Sequence, residues 1–230
     1  MIIKLHKFTK DAEGYEVSYS FRLEDGTEIG SAINNNDKQP IYFWLNEEKY
    51  TFPRDLKIVP RLPSNFKYPC SGKYKKIPGW FIYDENQNPI AYYHSEALTV
   101  GRVWKTFLKR NVSTMAIVYK EELHYLFQVG FLGQMDHYYC LYRGNELIGE
   151  MERHMLTTQN PDCIATIYIE KEENMLINLL AAVEELIYVQ TYDGGYDPSA
   201  CGYISRYEEE RALFDKNYIE RVKQQATINN

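Results

Sequence analysis

Apolar and polar residues alternate along the first part of the chain, which is the pattern of half-buried β-strands. Asp25 and Gly26 then supply a tight hairpin turn, and residues 27–33 are predicted as the returning strand. A second hairpin is predicted from residues 41–45 and 49–52. The alternation is clearest in the segment before the first turn, where the apolar positions are Tyr15, Val17, Tyr19, Phe21 and Leu23.

Prolines at positions 53, 60, 63 and 69 interrupt this pattern, so residues 53–70 are predicted as a linker or boundary. A new series of short apolar segments begins at Gly79 and is separated by Gly, Asn, Asp or charged turns. Residues 98–110 fit neither a helix nor a strand clearly. The predicted strands of this second series are 80–83, 90–93, 114–119, 124–129, 138–142, 147–151 and 164–169.

Residues 173–190 are predicted as a helix that is apolar nearly all round. Between Met175 and Val189 the only polar residues are Asn178, Glu184 and Glu185. Such a helix must be covered on most sides, yet it is too short and too charged to span a membrane. Two arrangements satisfy this requirement: a β-barrel that wraps the helix, or an open sheet that covers one side while the C-terminal segment covers the rest.

Residues 203–225 are predicted as an amphipathic C-terminal helix. Ser205 and Glu208 have the spacing of a capping box at its start. One face of this helix is an apolar stripe that we expect to dock on the domain or on a partner. The stripe residues, which are the candidate partner-binding residues, are Leu213, Phe214, Tyr218 and Val222.

Composition supports a β-rich protein that needs no covalent cross-links. Aromatic residues make up 15% of the chain and include 21 tyrosines, a residue type that favours strands. The four cysteines are widely and irregularly spaced, which argues against a disulfide framework and a zinc site. With no signal peptide and no long apolar run, the sequence predicts a cytoplasmic protein without a transmembrane segment.

Charge is distributed unevenly between the two halves of the chain. Residues 1–110 carry 17 Lys and Arg against 13 Asp and Glu, whereas residues 111–230 carry 9 against 19. The formal net charge of −6 argues against nucleic acid as a partner. A local basic face in the first half is the candidate site for an anionic ligand. Its predicted members are Lys73, Lys75, Lys76, Arg102, Lys105, Lys109 and Arg110.

The sequence contains no recognisable catalytic or metal-binding motif. No nucleophile elbow, P-loop, HExxH or dinucleotide-binding fingerprint is present. His137 and Cys140 are three residues apart, and on a strand such residues point to opposite faces, so they cannot share a metal. We therefore expect no metal, no cofactor and no enzymatic activity, although a catalytic pair assembled from distant positions would leave no such motif.

The second half of the chain resembles the tubby C-terminal-domain-like superfamily, which includes the LURP-one-related and phospholipid scramblase proteins. The resemblance covers residues 79–191 and rests on the aromatic hairpin Gly79–Ile90, the strand pair Tyr138–Arg153 and the apolar helix Met175–Val189. It implies a closed β-barrel with that helix through its centre. Tubby proteins bind phosphoinositide headgroups through basic residues, but this chain does not match that site residue by residue. It also continues for about 40 residues beyond the helix, and residues 1–62 have no counterpart.

The predicted protein is mainly β: an antiparallel barrel over residues 70–192 around the central helix, with an amphipathic helix at 203–225. Residues 1–62 are predicted as a β-hairpin region, either part of the barrel or a separate module. A barrel filled by its helix is expected to leave no interior space for a ligand.

Three functional hypotheses follow from this prediction. The first is a non-catalytic binding or scaffold protein that recognises an anionic lipid or a phosphorylated ligand. The second is a module that binds a protein partner, or a second copy of itself, through the C-terminal helix. The third, an unrecognised enzyme, predicts a deep pocket lined by polar groups with shifted pKa values.

Overall fold

The computed structural model describes residues 1–9, 17–34, 39–102, 109–132, 137–154, 163–188 and 204–229. Within these ranges the chain forms strands over most of its length and helices only near its C-terminal end. The strands are β1 (Ile2–Thr9), β2 (Val17–Leu23), β3 (Glu28–Asn34), β4 (Ile41–Leu45), β5 (Glu48–Phe52), β6 (Lys57–Pro60), β7 (Lys76–Tyr83), β8 (Pro89–Arg102), β9 (Lys109–Tyr119), β10 (Glu122–Gly130), β11 (His137–Arg143), β12 (Glu146–Arg153) and β13 (Cys163–Tyr168).

Twelve of these strands form a closed antiparallel barrel. Strands β1 to β5 pair in sequence order, and so do β7 to β13. Pairing of β1 with β13 joins the two series, and pairing of Thr51 on β5 with Tyr83 on β7 closes the ring. Strand β6 pairs with β7 outside the ring.

The N-terminal region is therefore part of the barrel wall, which settles the question that the sequence left open. The prediction that confines the barrel to residues 70–192 is too narrow, because five of its strands come from residues 2–52. The two predicted hairpins are present. Gly26 has a φ of +88° in the first turn, and Asn46 and Glu47 both have positive φ in the second.

The predicted linker is also corrected by the structure. Residues 57–60 form β6, and Phe66 is buried against the outside of the barrel, where its ring contacts Tyr125, Phe127 and Tyr142. This segment is fixed to the barrel by its own apolar contacts.

The central helix lies inside the barrel, as the sequence predicts. It consists of a 3₁₀ turn (Glu172–Asn174), α1 (Met175–Ala182) and a π-helical segment (Val183–Tyr188). Residues 177–183 are all at most 2% exposed. Seven consecutive residues cover the whole circumference of a helix, so strands surround it on every side. It packs against inward residues of both strand series, including Leu5, Phe21, Phe43, Ile117 and Ile167.

A second apolar layer covers part of the outer surface of the barrel. On β10, Leu126 points into the barrel, whereas Tyr125, Phe127 and Val129 point outwards into a separate buried cluster. Both faces of this strand are therefore buried. A third cluster lies under the C-terminal segment and includes Ile2, Tyr168, Tyr218 and Val222.

The C-terminal segment forms two helices instead of the single one predicted at 203–225. These are α2 (Glu208–Arg211) and α3 (Lys216–Asn229). The predicted capping box is wrong, because the Ser205 hydroxyl accepts a hydrogen bond from the Gly130 amide on β10. The helical conformation is interrupted between α2 and α3. There the Asp215 amide donates a hydrogen bond to the buried carboxyl of Glu150 at 2.8 Å.

A buried asparagine fixes the central helix to the wall. The Asn178 side-chain amide donates to the carbonyl oxygens of Ile148 on β12 (3.2 Å) and of Asn174 (2.9 Å). Gly149 lies next to this contact, and a Cβ at Gly149 would overlap the Asn178 side chain. The glycine is therefore required for the close approach of helix and strand.

We predict that Gly149→Ala lowers the free energy of unfolding by about 1–3 kcal/mol, because the added methyl group displaces a buried, hydrogen-bonded side chain. Equilibrium urea denaturation measures this change. Gly101→Ala on β8 is the control, since the nearest atom of the described residues, in the Glu209 side chain, would be 3.5 Å from the new methyl group. The double variant Gly149→Ala/Asn178→Ala should lose less stability than the sum of the losses of the two single variants, because both changes disturb the same contact. Equal effects of the two glycine substitutions, or full additivity, would contradict this interpretation.

Candidate functional site

A two-stranded ribbon on the outside of the barrel carries the first group of predicted ligand-binding residues. We define the basic ribbon as residues 56–61 and 73–79. Its strands β6 and β7 pair Ile58 with Pro78 and Pro60 with Lys76, and the Arg61 amide extends the pairing to the carbonyl of Lys75 at 2.9 Å. Alternation places one face of the ribbon towards the barrel and the other towards solvent.

The inner face of the basic ribbon is anchored by packing and by a buried ion pair. Val59 is fully buried and lies close to Gly79. The Arg61 guanidinium binds both oxygens of the Glu96 carboxylate on β8, with Nε 2.6 Å from Oε2. Their side chains are only 8% and 3% exposed. Burial opposes ionisation of Glu96, but the hydrogen bond and charge of Arg61 leave the pKa of Glu96 below its ordinary value.

The exposed surface of the basic ribbon combines apolar side chains with lysines. Leu56, Ile58 and Tyr74 are 57%, 65% and 81% exposed, which makes them three of the seven most exposed large hydrophobic residues in the described ranges. Lys57 lies 3.7 Å from Asp55. The predicted lysines Lys73, Lys75 and Lys76 are all exposed.

Of the second group of predicted basic residues, Lys109 and Arg110 have described side chains, and both lie outside the basic ribbon. Arg102 is the last residue of β8, but its side chain lies outside the described part of the structure, as does the whole of Lys105. Lys109 is exposed at the start of β9. Arg110 lies 3.7 Å from Glu209 and over the ring of Tyr207, so it fixes α2 to the barrel.

The stripe predicted to bind a partner is covered by the chain itself. Leu213, Tyr218 and Val222 are at most 1% exposed. The ring of Phe214 lies 4.2 Å from that of Tyr138 on β11, and the Tyr142 hydroxyl donates to the Leu213 carbonyl at 2.7 Å. Of the two predicted arrangements, docking on the domain is the one that the structure shows. In this arrangement the stripe is not available to a partner.

A cavity of about 540 Å³ lies at one end of the barrel, which corrects the expectation of a completely filled interior. We call it the barrel cup. Its floor is the π-helical segment, and its wall comes from five strands. The side chains that line it include Trp80, Tyr93, Ser95, Ala97, Ser113, Met115, Leu126, Gln128, Tyr139, Glu184 and Glu185.

The barrel cup exists because the longest hairpin of the barrel carries small inward residues at this end. Tyr93 and Ile117 face each other across β8 and β9 and belong to the barrel core. Two residues further along β8, Ser95 pairs with Met115, and the next inward pair is Ala97 with Ser113. Three of these four residues, Ser95, Ala97 and Ser113, are small and leave the volume unfilled.

Two carboxyl groups of the π-helical segment line the barrel cup. Glu184 is 6% exposed, and its Oε2 atom has no hydrogen-bond partner among the described residues. Burial raises its pKa from an ordinary 4.5 to about 8, and the Tyr93 hydroxyl partly offsets the shift. Burial likewise raises the pKa of Glu185 to about 7, against the opposing charge of Arg153. At the sequence level these glutamates were only interruptions of an apolar helix.

The barrel cup has the two properties that the enzyme hypothesis predicted, namely converging polar groups and shifted pKa values. Within the described ranges, no group of three or more His, Cys, Asp or Glu residues is arranged to hold a metal ion. No helix in those ranges is long and apolar enough to cross a membrane.

Comparison of the chain with family models, with curated proteins and with solved structures finds no match.

We predict that Glu184→Gln gains stability relative to the wild type as the pH rises from about 5 to 8. The folded protein keeps the Glu184 proton up to about pH 8, whereas the unfolded chain loses it near 4.5. Ionisation of the unfolded chain therefore favours unfolding of the wild type, by up to ~1.4 kcal/mol per pH unit in this window. Glutamine is neutral in both states and has no such dependence.

Urea denaturation of both proteins across this pH range measures the difference. Glu173→Gln removes an exposed carboxyl at the start of the same helix and is the matched control. If Glu184→Gln and Glu173→Gln differ from the wild type in the same way at every pH, burial of Glu184 is not the cause.

Proposed function

We propose that this protein is a non-catalytic binding module that docks on an anionic lipid surface through the basic ribbon. The observation that carries the proposal is that exposed Leu56, Ile58 and Tyr74 lie on the same two-stranded ribbon as the exposed lysines at 73, 75 and 76. Exposed apolar residues bordered by lysines are typical of proteins that lie on membranes, where the apolar groups enter the interface and the cations meet the headgroups.

The expected affinity is modest and depends on salt. Each lysine near an anionic surface contributes about 1 kcal/mol, so the three lysines at 73, 75 and 76 contribute ~3 kcal/mol together. Lys57 adds less, because Asp55 lies 3.7 Å away. Burial of Ile58 and its neighbours in the lipid interface adds an apolar contribution that salt does not screen.

Rigid attachment of the basic ribbon supports docking as a preformed surface. Arg61 and Val59 hold the inner face to the barrel, so little conformational freedom is lost on binding. A lipid surface offers many headgroups to lysines that are spread along an exposed ribbon. A free phosphorylated ligand would instead need to be enclosed, and we treat it as an alternative outcome of the test.

The proposal includes membership of the tubby C-terminal-domain-like superfamily and a cytoplasmic location. The closed barrel around an apolar helix supports the first part. Anionic lipids are concentrated in the cytoplasmic leaflet, which is consistent with the second. The alternative of a protein partner bound through Leu213, Phe214, Tyr218 and Val222 is less well supported, because these residues are covered within the chain.

We predict that the protein co-sediments with phosphatidylcholine vesicles that contain phosphatidylserine and does not do so with phosphatidylcholine alone. Replacing Lys73, Lys75 and Lys76 with Gln should weaken binding about a hundredfold, the equivalent of ~3 kcal/mol. Ile58→Ser should weaken it at all salt concentrations, because its contribution is apolar.

The control replaces three exposed lysines elsewhere, Lys120, Lys216 and Lys223, and makes the same change in net charge. Equal losses in the two triple variants would show general charge attraction and overturn the proposal. Competition by soluble inositol hexakisphosphate at the same lysines, without vesicle binding, would assign the ribbon to a free phosphate ligand instead.

A further inference from the structure

The barrel cup lies inside the barrel wall, and no residue of the basic ribbon is among the described residues that line it. Its volume of about 540 Å³ is within the range of small-molecule sites. No Lys or Arg is among the described residues that line it. The wall hydrogen-bonding groups, Ser95, Ser113 and Gln128, are neutral. Three carboxyls border the cavity: Glu96, which is paired with Arg61, and Glu184 and Glu185, which are not paired with a cation of the described ranges.

The Glu184 and Glu185 carboxyls are left without a close cation of the chain itself. Among the described residues, neither makes an ion pair within 4 Å. The positive charge of Arg54 lowers the pKa of Glu184 from a distance. The Arg54 guanidinium itself is hydrogen-bonded to Asn34 and Gln39, each at 2.8 Å. The charge of Arg153 likewise lowers the pKa of Glu185, and Arg153 also lowers the pKa of the Tyr139 hydroxyl.

An aromatic surface completes the lining. The rings of Trp80 and Tyr93 stack with their centroids 5.3 Å apart and an angle of 16° between their planes. Both residues line the cavity beside Glu184. Aromatic rings favour the alkyl groups of an organic ligand and attract cations through their faces.

We propose that the barrel cup binds a small organic ammonium ion, with its nitrogen between the carboxyls of Glu184 and Glu185. A cation there neutralises a carboxyl that is buried without a partner at Oε2. An anion would meet two carboxyls and no lining cation. The ammonium hydrogens not bound by the carboxyls can be accepted by Ser95, Ser113 or Gln128 oxygens.

Cation binding must be linked to loss of a proton from the cup. With a pKa of about 8, Glu184 is mainly protonated at neutral pH when the cup is empty, and an ammonium ion favours its ionised form. His94 also borders the cup, but burial lowers its pKa below the ordinary 6.5, so its imidazole is already neutral near pH 7. The other groups facing the pair are Tyr93, Tyr139, Arg54 and Arg153, whose ordinary pKa values lie well above neutrality. The released proton should therefore come from the glutamates.

The test is isothermal titration calorimetry with putrescine and with its neutral diol analogue, in two buffers of different ionisation enthalpy near pH 7. We expect saturable putrescine binding, proton release, and no binding of the diol.

Glu184→Gln should weaken putrescine binding about tenfold or more, because a charge-assisted contact is lost. Ser95→Leu fills the cavity, keeps both carboxyls and should abolish binding. Glu173→Gln, at the other end of the helix, should bind like the wild type.

Equal binding of putrescine and the diol would overturn the proposal, as would undiminished binding by Glu184→Gln. If putrescine, methylammonium and tetramethylammonium all fail to bind the wild type, the cup is not an ammonium site. The result of this test does not affect the proposal of vesicle binding by the basic ribbon, because the lysines that vesicle binding requires do not line the cup.

Discussion

Burial of a helix that is apolar on all sides determines the rest of this structure. Residues 177–183 expose almost no surface, so the helix cannot rest on one face of a sheet. A cylinder of strands around a helix needs more strands than the second half of the chain supplies. The N-terminal strands complete it through two junctions, β1 with β13 and β5 with β7. Polar contacts fix the helix within this cylinder: Asn178 bonds to β12, and Asn34 donates to the carbonyl of Ile187 at 3.2 Å.

The same constraint creates the acidic end of the barrel. The helix reaches its π-helical segment at the level where the inward side of the β8–β9 hairpin changes to small residues. π-helical turns occur frequently at functional sites. Here the segment places Glu184 and Glu185 at the boundary between apolar core and cavity. The C-terminal end of a helix carries partial negative charge, which adds to the cost of ionising a carboxyl there.

Much of the fold could be predicted from periodicity, since strands and the apolar helix each have their own spacing of apolar residues. The alternation in Val17, Tyr19 and Phe21 predicts β2, and the run from Met175 predicts the central helix. Strands buried on both faces are harder to interpret. All six residues of β13 are buried, so its sequence does not show which side faces the helix.

The candidate sites were harder to predict than the fold, because they depend on contacts between distant segments. Lys73, Lys75 and Lys76 form a local cluster of charge in the sequence, but the apolar residue Ile58 comes to lie near Lys76 only through β6–β7 pairing. A stripe such as Leu213 and Tyr218 has the same sequence pattern whether the barrel or a partner covers it. The barrel cup is lined by side chains from five strands and the helix, so no single segment carries its signal.

The two proposed sites meet on one short stretch of β8. Ser95 and Ala97 point into the barrel cup, while Glu96 between them points outwards and holds Arg61 of the basic ribbon. Strand alternation therefore separates sites that are adjacent along the sequence. A substitution at Glu96 would remove the carboxylate partner of Arg61 and disturb the ribbon and the cup wall together. The lysines of the ribbon are exposed and Glu184 lies on the helix, so changes at those positions affect one site at a time.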